Sequence, residues 1–142
     1  MGRTTTYLDY NATQPIRPAA HDAMLAALAA PANASSIHGY GQEARRLIEA
    51  ARADVAALIG AAPGEIVFTS GATEANATAL HGLGIRRILA SAVEHPSVRA
   101  SPGVTLVPVD RNGIVDLTAL DHMLATGDDG PVLVSLMLVN NE

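Results

Sequence analysis

The sequence predicts an α/β fold, with a mostly parallel sheet covered by flanking helices. Three observations lead there. From residue 65 onward, short β-branched runs alternate with helical stretches. The clearest amphipathic pattern, over residues 44–59, has the helical period, and a polar motif follows each of three expected strands.

Taken in order, residues 1–17 form an N-terminal extended segment, with Thr5 to Tyr10 extended and Asn11 to Pro15 polar. An alanine-rich helix starts near Pro18, because proline is tolerated in a first turn, and ends by Pro31. After a small, polar loop, Ala44, Leu47, Ile48, Ala51, Val55, Leu58 and Ile59 recur at three- and four-residue steps, and Gly60 stops that helix as a C-cap. Glu65 to Thr69 reads as a strand after the Pro63-Gly64 turn, and Thr73 to Leu80 as a helix ended by Gly82. Ile88 to Ala92 and Val104 to Val109 are further strands. The link between them, Val93 to Gly103, is close to the minimum for a parallel crossover and holds little more than one helical turn. Leu117 to Ala125 is a helix with Asp116 as N-cap, and Val132 to Val139 is a nearly continuous apolar strand. The sequence then reaches Asn140-Asn141-Glu142, where functional loops of such a sheet begin, so residues 18–142 are expected to be an incomplete, truncated portion of a larger domain.

Composition removes several classes of function. With 49% hydrophobic and 16% charged residues the chain is not of a disordered type, and no apolar run approaches the roughly 20 residues of a membrane span. No apolar signal stretch follows Met1, which predicts a cytoplasmic protein. A net charge of -5, no basic cluster and only four aromatics (Tyr7, Tyr10, Tyr40 and Phe68) argue against nucleic acid as a partner. All nine basic residues are arginine, and cysteine is absent. Lysine-dependent phosphate loops, Ser-Lys dyads, thiol nucleophiles and cysteine metal sites are therefore excluded from these residues. No second ligand lies at metal spacing from His95.

The three polar motifs are Thr69-Ser70-Gly71-Ala72-Thr73, Glu94-His95-Pro96-Ser97 and Asn140-Asn141-Glu142. If their strands are parallel, they share the sheet edge at which open α/β folds bind ligands. Gly71 lets a ligand approach the backbone, and the helix starting near Thr73 offers unpaired N–H groups to a phosphate; the alternative is that Ser70 simply caps that helix. His95, held out of helical geometry by Pro96, can stack on a planar ring or move a proton, or be a purely structural loop histidine, while Glu94 faces the other way. Asn140 and Asn141 offer amides to a cofactor hydroxyl or a substrate carboxylate, or form a polar turn.

In order along the chain, Tyr7 to Thr13 (YLDYNAT), Asn33 to His38 (NASSIH) with Gly41, Glu65 to Asn76 (EIVFTSGATEAN), Ala92 to Val98 (AVEHPSV), Val107 to Leu120 around VPVD and IVDL, and Val139 to Glu142 (VNNE) resemble the cysteine desulfurases of the class V aminotransferase group. That resemblance implies the N-terminal part of a fold-type I pyridoxal-phosphate enzyme, with residues 18–142 supplying part of the large cofactor-binding domain. It implies that Gly71, Ala72 and Thr73 hold the phosphate of pyridoxal 5'-phosphate, that His95 stacks on its ring and takes part in catalysis, and that Asn141 contacts the ring hydroxyl. Asn11 and Asn141 would meet the substrate, L-cysteine. It further implies a homodimer and a sulfur-acceptor or scaffold protein as partner, in iron-sulfur cluster assembly or another sulfur-transfer pathway. The Schiff-base lysine and the sulfur-accepting cysteine would lie beyond Glu142. Gln14, Ala34, Ala77 and Leu138 depart from the family pattern, and the Arg99 to Gly103 stretch is short. Selenocysteine lysis, transamination, or a non-catalytic phosphate-binding α/β module are the alternatives.

Overall fold

The computed structural model of the chain describes residues 6–10, 12–30, 33–127 and 130–139. They fall into two compact units, Thr13–Phe68 and Met1–Ala12 with Thr69–Glu142.

In the first unit, helix α1 spans Pro18–Leu28, with Arg17 extended before it and proline in its first turn, as expected. Helix α2 spans Gly39–Ile59 and so begins five residues earlier than the apolar pattern does. The extra turn is held by a cap rather than by apolar burial: the Gly41 N–H donates to His38 Nδ1 at 3.3 Å. Gly41 is buried where a Cβ would collide with the Ser36 carbonyl and lie 2.8 Å from that of Asn33. Gly60 ends α2 at a φ of 71°, in the left-handed region that glycine favours.

The stretch from Glu65 to Thr69 corrects the expectation of a strand. A 3-10 turn occupies Pro63–Glu65, and Ile66 is extended but pairs with no strand among the described residues. Arg52 of α2 holds the segment instead: its Nη1 donates to the Ile66 carbonyl at 2.5 Å, and its guanidinium lies 5.0 Å from the centre of the Phe68 ring. An extended run becomes a strand only where a neighbouring backbone supplies a ladder, and here an arginine side chain satisfies the carbonyl.

The second unit contains helix α3 (Ala72–His81), strand β1 (Arg87–Ser91), the one-turn helix α4 (Pro96–Arg99), strand β2 (Val104–Val107), helix α5 (Leu117–Ala125) and strand β3 (Val132–Ser135). The strands are parallel in the order β2-β1-β3. Ladders run from Ile88 opposite Val104 to Ser91 opposite Val107, and from Arg87 opposite Val132 to Ala90 opposite Ser135. Both flanking strands are shorter than their apolar runs suggest, because β1 offers only five residues to pair with. Beyond β2, Val109 instead bridges Val115 across the Asp110 to Gly113 turn.

Ile88 and Ala90 of β1 pack with Leu80 of α3 and Val98 of α4, flanked by Val104 and Leu133. Burying each of the larger side chains is worth about 1.5–3 kcal/mol, so this cluster holds α3 and α4 to one face of the sheet. Side chains alternate along a strand, which turns Arg87 to the other face. There its guanidinium donates to the carbonyls of Met123 and, at 2.9 Å, Thr126, closing the C-terminal end of α5. Helices α3 and α4 thus pack on one face, and Arg87 ties the C-terminal end of α5 to the other.

Candidate cofactor-binding site

The first candidate stretch lies at the start of α3. Gly71 is its N-cap residue, in an extended conformation, and nothing comes within 4 Å of where a Cβ on Gly71 would sit. The helix begins with the Ala75 N–H donating to the Gly71 carbonyl at 3.1 Å. The N–H groups of Ala72, Thr73 and Glu74 precede that bond, and no acceptor for them is found among the described residues. Three donors on exposed residues, without a partner among the described residues, thus stand at the positive end of a helix, an arrangement suited to an anion.

Ser70 does not cap the helix, contrary to the simpler alternative. Its N–H and its hydroxyl both donate to Glu74 Oε2, at 2.7 and 2.6 Å. The hydroxyl, and after it the N–H, hold the Glu74 carboxyl below its usual pKa. The carboxylate is thereby committed to the turn before the helix.

The second stretch follows β1, the central strand. His95 is extended before Pro96, at φ -57° and ψ 146°, as the proline requires. Its neighbour Glu94 is buried, and the Ser135 hydroxyl of β3 lies 3.4 Å from Glu94 Oε1, while the His95 ring is exposed. The two side chains diverge, as expected. His95 Nδ1 accepts from the Ser97 N–H at 3.1 Å and lies 2.8 Å from Ser97 Oγ. Ser97 Oγ in turn accepts from Asn76 Nδ2 at 2.9 Å. Asn76 is four residues into α3, about 6 Å along its axis from Ala72, so the structure brings His95 alongside the first turns of the helix that Gly71, Ala72 and Thr73 open.

Ser97 and Asn76 are the residues of this constellation that sequence reasoning missed. Ser97 had a local signal, since serine two residues after a histidine ahead of Pro96 is placed to return a hydrogen bond. Asn76 had none, being 21 residues away. Asn11 and Asn141, the other two expected site residues, lie outside the described residues.

The Aminotransferase class-V family model matches residues 6–142. Among curated proteins, the chain is 41% identical to an IscS-like cysteine desulfurase of Mycobacterium tuberculosis, covering 96% of this chain and 39% of that protein. It is 42% identical to a cysteine desulfurase of Frankia, covering 96% and 37%. Among solved structures, a NifS-like protein from Rickettsia africae superposes with a TM-score of 0.83 at 34% identity, covering 96% of this chain and 40% of that one. The chain thus spans about two-fifths of the length of the relatives it matches. A family match over nearly every residue, together with a parallel sheet shared with these structures, establishes that the chain belongs to the aminotransferase class-V family.

Proposed function

We propose that the protein carrying these residues is a pyridoxal-phosphate-dependent cysteine desulfurase, which releases sulfur from L-cysteine, leaves L-alanine, and passes the sulfur to an acceptor protein. The observation that carries this reading is the unpartnered N–H groups of Ala72 and Thr73 next to the uncrowded Gly71 at the start of α3, with His95 fixed nearby. The relatives named as cysteine desulfurases support the choice of substrate.

The residues fit the cofactor's phosphate. A side chain at residue 71 would fill the space that glycine leaves empty, and the α3 N-terminus supplies N–H donors and a favourable dipole without a lysine. When bound, pyridoxal phosphate supplies an electron sink for breaking bonds at the substrate's α-carbon. Ala72 and Thr73 hold the phosphate, Asn141 meets the ring hydroxyl, and Asn11 and Asn141 orient the substrate. His95 covers one face of the ring and keeps a proton-carrying nitrogen, Nε2, available to the reacting groups. Residues 18–142 belong to the large cofactor-binding domain of a cytoplasmic homodimer.

The test is His95→Ala in the full-length protein. Loss of the ring contact and of proton transfer together is expected to weaken cofactor retention and to lower kcat by about 100-fold or more. Cofactor occupancy by absorbance and alanine formation from L-cysteine measure the two effects. Unchanged occupancy and turnover would return His95 to a structural role and remove the reading.

A further inference from the structure

We infer that Ser97 and Asn76 are positioning residues that hold the His95 ring in one orientation and one tautomer, with the proton on Nε2. The inference rests on the reading of His95 as the residue over the cofactor ring, and adds what determines the state of that ring.

The direction of each hydrogen bond follows from its donors. A backbone N–H can only donate, so the 3.1 Å contact from the Ser97 N–H makes His95 Nδ1 an acceptor. An imidazole that accepts at Nδ1 carries its proton on Nε2 in the neutral form. Ser97 Oγ, 2.8 Å from the same nitrogen, has a single hydrogen. Because Nδ1 is an acceptor, the hydroxyl donates to it, and Asn76 Nδ2 donates to a lone pair of the same oxygen at 2.9 Å. The relay runs in one sense, from amide to hydroxyl to ring, and its members come from α3 and α4. Leu80 of α3 and Val98 of α4 are both buried in the same cluster, so the two ends of the relay stand on packed elements.

This arrangement has a consequence that capping of α4 alone would not require. The backbone N–H by itself satisfies the one-turn helix, whereas the hydroxyl and the amide add nothing to its backbone bonds. What they do add is a second donor on Nδ1 and a fixed plane for the ring.

The experiment uses the full-length protein with nitrogen-15-labelled histidine. In the cofactor-free form, two-bond proton–nitrogen correlations on His95 should show Nδ1 unprotonated and Nε2 protonated. Ser97→Ala keeps the backbone N–H on Nδ1 and loses only the hydroxyl, so the Nε2-protonated form should stay the major one while the Nδ1-protonated form becomes detectable. Ser97→Thr, which keeps the hydroxyl, should restore the single tautomer. Asn76→Ala should shift the pattern in the same direction as Ser97→Ala, by less. In the cofactor-loaded protein, Ser97→Ala should lower kcat about 3- to 10-fold, the factor corresponding to one lost neutral hydrogen bond, with KM for L-cysteine little changed. Ser97→Thr should recover most of it. A wild-type His95 protonated on Nδ1, or a tautomer population unchanged in Ser97→Ala, overturns the inference whatever happens to turnover. Failure of the proposed function is seen separately, as an inert His95→Ala in the loaded enzyme.

Discussion

Glu74 stands in the first turn of α3, where a carboxylate is favoured by the helix dipole, yet its bonding is directed backward to Ser70 rather than into the helix. Both donors of Ser70 reach the same oxygen, which fixes the turn leading into Gly71 and leaves the N–H groups of Ala72 and Thr73 free of intramolecular competition. Those bonds favour the ionised carboxyl, so its folded-state pKa lies below the unfolded one, the Ser70 hydroxyl being the larger cause. A depressed folded pKa contributes stability above the unfolded value, and that stability is lost as pH falls through the folded value. Glu74→Gln should therefore be less stable than wild type at neutral pH, with the difference shrinking as the solution is acidified below the ordinary glutamate range. Urea denaturation across pH measures this. A difference that does not vary with pH would mean that the Ser70 bonds do not depend on the charge.

The elements differ in how far they can be read locally. Asp116 accepts from the N–H groups of Thr118 and Ala119 at 2.9 and 3.0 Å, and α5 spans the residues its cap and apolar pattern predict. Its cap is a contact within three residues, so the sequence displays it. Asp116→Ala should cost about 1 kcal/mol, read as a lower urea midpoint with unchanged slope, and Asp116→Asn should recover most of it. The one-turn limit on α4 and the ending of α2 at Gly60 were legible for the same reason: chain length and a glycine at positive φ are local facts. Strand limits were not. Whether Ile66 pairs, and where β3 stops, depend on what lies alongside, and neither Arg52 beneath Ile66 nor the five-residue length of β1 is visible in the runs themselves. The early start of α2 escaped because His38 and Gly41 hold it without apolar residues.

At the scale of the whole molecule, the candidate site shows the same division. The motifs around Gly71 and His95 were readable because each is a short run beside an element end, but the expected strand before Gly71 is absent, so what brings the two together is the contact of α3 with α4 and not strands running the same way. The Asn76–Ser97 link was not readable, since it joins two elements and depends on how Leu80 and Val98 pack. What the site contains also limits what these residues can do by themselves. A covalent bond from a protein to pyridoxal phosphate needs a side-chain amine, and these 142 residues include no lysine, while arginine stays protonated and does not substitute for it. Contacts from Ala72 and Thr73 to a phosphate would be reversible. Expressed as these 142 residues, the chain should therefore bind the cofactor weakly and release it on dialysis. After incubation with pyridoxal phosphate and reduction with borohydride, intact mass and peptide mapping should find no stoichiometric adduct on any residue from Gly71 to Ser97. Labelling confined to the terminal amine is ordinary background of an aldehyde with a free amine. A stoichiometric adduct inside that stretch would show that the residues around Gly71 and His95 can hold the cofactor covalently without a lysine, and would overturn the division of labour proposed between phosphate cradle and amine.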